Sequence, residues 1–238
     1  NFIINNIVKR LLKKNKITVF APKPSYPNAA LFKNNYHQIQ KKDGFNNIVL
    51  KRYFVIKRKG NSTLDVFFNY LSSLIIGSIT IPFRVRKQNC DLIFVYLPSP
   101  VFTAIQGLIL KFLYKKKIII SVQDLWPDVI LTNSSIRNKF LISFVKVLVK
   151  FIYDYSDLIL TSSREFEQEI RSQTNTKTIF YPNSLDINDI SNYKIDKKIQ
   201  NELSNSFSVL FSGNLGKAQG IDTIIESAKE LMSIDKSV

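Results

Sequence analysis

The sequence is poor in the residues that metal and thiol chemistry need. Among 238 residues there is one cysteine, Cys90, and one histidine, His37. One cysteine excludes an internal disulfide and fits a reducing compartment. One histidine and no Cys/His cluster exclude multi-histidine metal sites. Tryptophan occurs once, as Trp126. Acid is scarce in the first half. Residues 1–120 carry 21 Lys/Arg against 3 Asp/Glu, a net of +18, whereas residues 121–238 carry 13 against 15, a net of −2. No signal-peptide pattern is visible. The chain begins at Asn1 inside a predicted helix, with no strand before it, and stops soon after another helix. The expectation is a piece of a longer protein, truncated at both ends.

What is present suits a globular protein. Hydrophobic residues make up 45% and the mean hydropathy is −0.01, enough for a core and too much for a disordered chain. A basic half joined to a near-neutral half suits one face turned to polyanions: nucleic acid, anionic lipid or a phosphorylated substrate. A plain surface-lysine bias is the alternative.

The pattern alternates strand and helix. Helical spacing covers Phe2 to Leu12, and Ile17–Phe20 reads as a strand that ends near Pro22. Ile48–Leu50 and Tyr53–Ile56 read as strand pieces, followed by a basic loop over 57–63. Leu64 to Phe83 is apolar for nearly the length of a membrane span. Asp65, Asn69, Ser72, Ser73, Ser78 and Thr80 dilute it, which favours a buried or interfacial helix over a spanning one. Strands follow at Asp91–Leu97, Ile118–Val122, Asp157–Thr161 and Lys177–Tyr181, with helices at Val101–Leu113, Phe140–Tyr153 and after Ser162-Ser163. This alternation predicts an α/β fold, a Rossmann-like parallel sheet with helices on both faces. Residues 184–205 are polar and read as a linker. A strand at Phe207–Phe211, a Gly-rich turn and a helix from Ile221 read as the first unit of a second Rossmann-like domain. The division is therefore 1–183, 184–205 and 206–238.

Two stretches carry candidate chemistry. Ligands of open α/β sheets bind beyond the carboxyl ends of the strands, so the residues after Ile118–Val122 matter most: Gln123, Asp124, Leu125, Trp126, Pro127 and Asp128. An acid there can act as a general base; bonding to loop amides is the alternative for Asp124. Asp128 can cap the segment that follows. The second stretch is Ser212-Gly213-Asn214-Leu215-Gly216-Lys217-Ala218-Gln219-Gly220. Glycines between a strand and a helix let backbone N–H groups approach a phosphate at the positive helix end. The pattern is neither a P-loop nor a complete dinucleotide fingerprint, and an unliganded strand–helix turn is the alternative.

Together, Val122–Asp128 and Phe211–Asp222 resemble the family 4 retaining glycosyltransferases of the GT-B fold, in particular the sugar transferases of bacterial capsule, O-antigen (lipopolysaccharide) and colanic acid synthesis. Tyr181-Pro182-Asn183 stands where such enzymes cross between domains, and the apolar segment Tyr70–Ile81 also resembles that branch. The resemblance implies two Rossmann-like domains across a cleft, the N-terminal one receiving a lipid-linked or saccharide acceptor and the C-terminal one a nucleotide-sugar. It implies Asp124 and Gln123 as catalytic candidates, and Trp126, Pro127 and Asn183 on the acceptor side. It implies Gly213, Asn214, Gly216, Lys217, Gln219 and Gly220 at the donor diphosphate. It implies no cofactor and no metal, an anionic membrane surface as a partner and a place on the cytoplasmic face of the cell membrane. The sequence departs from the family pattern at three positions. Asn214 and Gln219 stand where many members have Arg and Lys, and Gln123 stands in a motif where many have His. The family's donor-site acidic motif falls beyond Val238. Residues 1–238 alone are expected to be inactive. Two other readings compete. One is a basic nucleic-acid-binding module, although the Phe residues cluster in apolar runs instead of basic stripes. The other is a nucleotide- or NAD-dependent enzyme using the 213–220 turn.

Overall fold

The computed structural model describes residues 2–25, 48–58, 60, 62–85, 90–129, 138–184, 196–204, 208–213 and 219–234. It is a mixed α/β structure with two parallel sheets flanked by helices, consistent with a Rossmann-like fold. Helix α1 (Phe2–Leu11) leads into β1 (Thr18–Pro22), which pairs in parallel with β2 (Val49–Tyr53) from Thr18↔Val49 to Pro22↔Tyr53. Where two strand pieces were expected around residues 48–56, β2 is one strand that stops at Tyr53.

Helix α2 (Thr63–Val85) then crosses to the larger sheet. That sheet has four parallel strands in chain order: β3 (Leu92–Leu97), β4 (Lys117–Val122), β5 (Leu158–Thr161) and β6 (Thr178–Phe180). The connections are α3 (Thr103–Tyr114), α4 (Lys139–Asp154) and α5 (Arg164–Gln173). Strand β4 lies between β3 and β5, in register Leu92↔Lys117 and Ile119↔Leu158. Its central position explains the unbroken Ile118-Ile119-Ile120: a strand paired on both edges inside a parallel sheet is buried and apolar. Ile118, Ile120 and Val122 have no exposed surface.

Local signals set the helix ends. The Asn138 side chain accepts N–H bonds from Phe140 at 3.0 Å and Leu141 at 3.2 Å, capping α4. Ser163 accepts from the Phe166 N–H at 3.2 Å and caps α5, with Glu165 and Glu167 in its positive first turn. Gly107 lets α3 sit close on the sheet: a methyl group there would lie 2.5 Å from Val95 Cγ2 and 2.9 Å from Ile118 Cδ1. Helix α3 packs between α2 and α4. One hydrophobic cluster joins Tyr53, Ile81, Leu108, Val122, Val149 and Ile152, so both sheets share a core.

The amino edge of the large sheet is tied by charge. The Asp157 carboxylate accepts from Lys111 at 2.8 Å, from Lys117 at 2.9 Å and from the Ile118 N–H at 2.8 Å. Burial alone would raise this carboxyl group, but those three bonds outweigh it and hold the pKa at about 2.

Within residues 184–205, the stretch expected to be a linker, lies helix α6 (Lys197–Ser204). One C-terminal expectation is corrected. The strand expected at Phe207–Phe211 is not formed over the described residues 208–211, where Val209 and Leu210 are exposed. Among the described residues no neighbouring strand pairs with this segment, and a lone strand leaves its backbone groups to water. Helix α7 (Ile221–Ile234) follows, and neither α6 nor α7 contains a buried residue.

Candidate functional site

The polar residues after β4 meet the loop after β3. Strand β4 ends at Val122, and the Gln123 N–H donates to Leu97 O at 3.1 Å, continuing the ladder by one bond. The next residue, Asp124, turns its carboxylate across to the β3 loop. Its Oδ2 accepts from the Ser99 N–H at 3.0 Å and from the Ser99 hydroxyl at 2.6 Å. Both Ser99 and Asp124 are half-buried. Among the described residues no donor reaches Asp124 Oδ1. The carboxylate is thus anchored by one oxygen and presents the other, an arrangement suited to accepting a hydroxyl proton at a fixed point.

Gln123 links a second pair of loops. Its Nε2 donates to the buried Ser121 hydroxyl at 3.1 Å, and its Oε1 accepts from Asn183 Nδ2 at 2.9 Å. Asn183 follows β6, whose exit is fixed by the Tyr181 N–H donating to Thr161 O at 2.8 Å. The ends of β3, β4 and β6 therefore contribute Ser99, Asp124, Gln123 and Asn183 to one crown of polar groups. They lie at the carboxyl edge of the sheet, where parallel α/β folds bind ligands.

Apolar groups support this crown from below. Trp126 is 9% exposed and packs on Phe102, ring centroids 5.9 Å apart. Pro127 is buried beside it. Both Ser99–Pro100 and Trp126–Pro127 are cis peptides. The indole Nε1 is buried and has no hydrogen-bond partner among the described residues. Trp126 and Pro127, placed in the sequence reading on the acceptor side of a cleft, form the floor of the loop, and only Asn183 of that group is exposed.

The Gly-rich turn is described in part. Asn214, Gly216 and Lys217 lie outside the described residues. Gly220 has φ +60, the left-handed conformation that glycine adopts without strain, at the start of α7. Its carbonyl accepts the Ile224 N–H at 3.2 Å, the first bond of the helix. Gly213 and Gln219 are the described residues on either side of 214–218. Among the described residues no hydrogen bond or ion pair joins Gly213, Gln219 or Gly220 to the Asp124 crown.

Sequence reasoning missed Ser99 and Ser121. Ser99 stood between Pro98 and Pro100 and read only as the end of a strand. A serine between two prolines at a parallel strand's carboxyl end was the available signal, because its short side chain can reach only the neighbouring loop. Ser121 was hidden within the apolar strand. No protein-family model matches the chain, and no curated protein matches it in sequence.

Proposed function

We propose that residues 1–183 form the acceptor-side domain of a retaining sugar transferase, with the donor-side domain beginning near residue 206. The complete enzyme moves a sugar from a nucleotide-sugar to a lipid-linked acceptor of cell-surface polysaccharide synthesis. The observation that carries this reading is the Asp124 carboxylate, anchored on Ser99 at a parallel sheet's carboxyl edge beside the Gln123–Asn183 amide pair. Carboxylate and amide groups at fixed spacing suit recognition of sugar hydroxyls, which donate and accept at once. The resemblance of Val122–Asp128 and Phe211–Asp222 to family 4 transferases supports the same reading.

In this scheme Asp124 orients and receives the proton of the acceptor hydroxyl. Gln123 and Asn183 hold neighbouring hydroxyls, and Ser99 fixes Asp124. The 213–220 turn and the N-terminus of α7 receive the donor diphosphate, whose departing charge is met by N–H groups and Lys217. The reading assigns no metal.

The test uses residues 1–238. A polyprenyl-diphosphate-linked monosaccharide in mild detergent and a single-stranded oligonucleotide are compared by calorimetry. The proposal expects saturable binding of the glycolipid, weakened about tenfold or more by Asp124→Ala together with Asn183→Ala. Binding of the oligonucleotide alone favours the nucleic-acid reading instead.

A further inference from the structure

Helix α4 is apolar on two opposite sides. Val145, Val149, Ile152 and Tyr153 face the core and are buried. At about 100° per residue, Phe140, Phe144, Val147, Phe151 and Tyr155 form a stripe on the side away from it. All five are exposed, Phe140 at 89% and Val147 at 67%. Phe112 of α3 widens the stripe: its ring centroid lies 5.4 Å from that of Tyr155, which in turn lies 4.6 Å from that of Phe151. The polar residues Lys139, Ser143, Lys146, Lys150 and Asp154 are confined to one flank. A helix that is apolar on both sides belongs between two packed layers, and an exposed apolar patch of this extent marks a contact surface.

The order of side chains along the stripe selects the occupant. Phe140 and Tyr155 are equally far in sequence from the midpoint between Val147 and Leu148, and so are Phe144 and Phe151. Two rings, a smaller centre and two rings are therefore met from either end. An isologous interface requires a patch that complements itself in this way. With two copies of α4 antiparallel, Phe144 of each meets Phe151 of the other, Phe140 meets Tyr155, and Val147 lies at the two-fold axis. Antiparallel helices also set opposite dipole ends side by side. The charges nearest the stripe, Lys150 and Asp154, neutralise each other at 3.0 Å within each copy. Area points the same way. At ~200 Å² for a whole aromatic side chain, the exposed parts of the five residues and Phe112 amount to roughly 700 Å² per copy, against about 800 Å² per partner in a standard interface. We infer that this chain forms a two-fold dimer through the outer face of α4. The inference stands on α3 and α4 and does not depend on the sugar-transfer reading.

The test is sedimentation of residues 1–238 over a range of concentrations. Wild type is expected to be a dimer at about 50 µM, and Phe144→Asp with Phe151→Asp to weaken that dimer about 100-fold or more. Leu64→Asp, at an exposed apolar position on α2, is expected to dimerise as wild type. Cross-linking gives a second readout. In a Cys90→Ser background, Val147→Cys is expected to form a disulfide-linked dimer on mild oxidation, and Ser172→Cys, exposed on α5, to stay unlinked. The cross-link decides the matter if circular dichroism shows the double variant misfolded. A monomer at every concentration, a dimer that the folded double variant keeps, or no link through position 147 would overturn the inference. Flotation of a monomeric wild type on lipid vesicles, abolished by the double variant, would overturn it too and give the face to a membrane.

Discussion

Two carboxylates at opposite edges of one sheet illustrate how position sets the work of an acid. Asp157 sits at the amino edge and is saturated by Lys111, Lys117 and the Ile118 N–H. Asp124 sits at the carboxyl edge and, among the described residues, is tied through Oδ2 alone. The first is a structural clasp. Its folded pKa of about 2 lies below the ordinary carboxyl value of 3.8, so its contribution is complete above the ordinary value and is lost as pH falls through the folded one. Asp157→Asn is therefore expected to destabilise the chain by about 1 kcal/mol at pH 7, after allowance for solvent screening, and to narrow that gap between pH 4 and about 2. Urea melts across that range check it; a constant difference would contradict it. For Asp124, replacement by Ala leaves two donors on Ser99 without an acceptor and is expected to cost about 1–3 kcal/mol in the same melts. The sequence placed Asp124 at a strand end, because the apolar run before it was unmistakable. It could not show Ser99, since the bond joins residues in two loops and depends on the register of β3 on β4.

At the scale of elements, periodicity was a sound guide wherever an element had a partner. Helices α3, α4 and α5 and strands β3 to β6 lie where the hydrophobic runs placed them, to within a few residues. It failed at 208–211, where an apolar run finds no strand to pair with among the described residues. It also could not give the orientation of α2, because a helix with Ser and Asn on one side and Phe and Ile on the other reads alike whichever side faces the protein. The Tyr53, Ile56 and Gln106 partners of Ser72 and Ser73 decide that orientation. The turn from α3 to β4 offers a sharper check. Lys115 has φ 51, a left-handed conformation that disfavours any side chain. Lys115→Gly is expected to raise stability by about 0.5–1 kcal/mol. In the opposite sense, Gly107→Val forces bulk against Val95 and Ile118 and is expected to cost about 1–3 kcal/mol, read as a lower denaturation midpoint.

At the scale of the whole molecule, a strongly basic half and a polar crown at a sheet edge belong to one account. Residues 1–120 bear a net +18, a positive field that favours polyanions of any kind. The fold class was legible because strand and helix alternate in the chain. The split into two parallel sheets was not, since residues 48–56 give only short apolar runs amid Lys and Arg. The site was half legible for a physical reason: its residues come from three strand ends, and only the β4 end is marked by a change from apolar to acidic residues. The central claim is sugar transfer with Asp124 at the reacting hydroxyl. The most direct measurement is transfer from a panel of radiolabelled nucleotide-sugars to a bacterial lipid extract by the complete reading frame containing residues 1–238. Wild type, Asp124→Asn and Lys150→Ala are compared, Lys150 pairing with Asp154 far from the crown. The account predicts a labelled glycolipid from wild type and Lys150→Ala, and a loss of about 100-fold or more with Asp124→Asn. Absence of transfer from every donor, or full activity of Asp124→Asn, would contradict it.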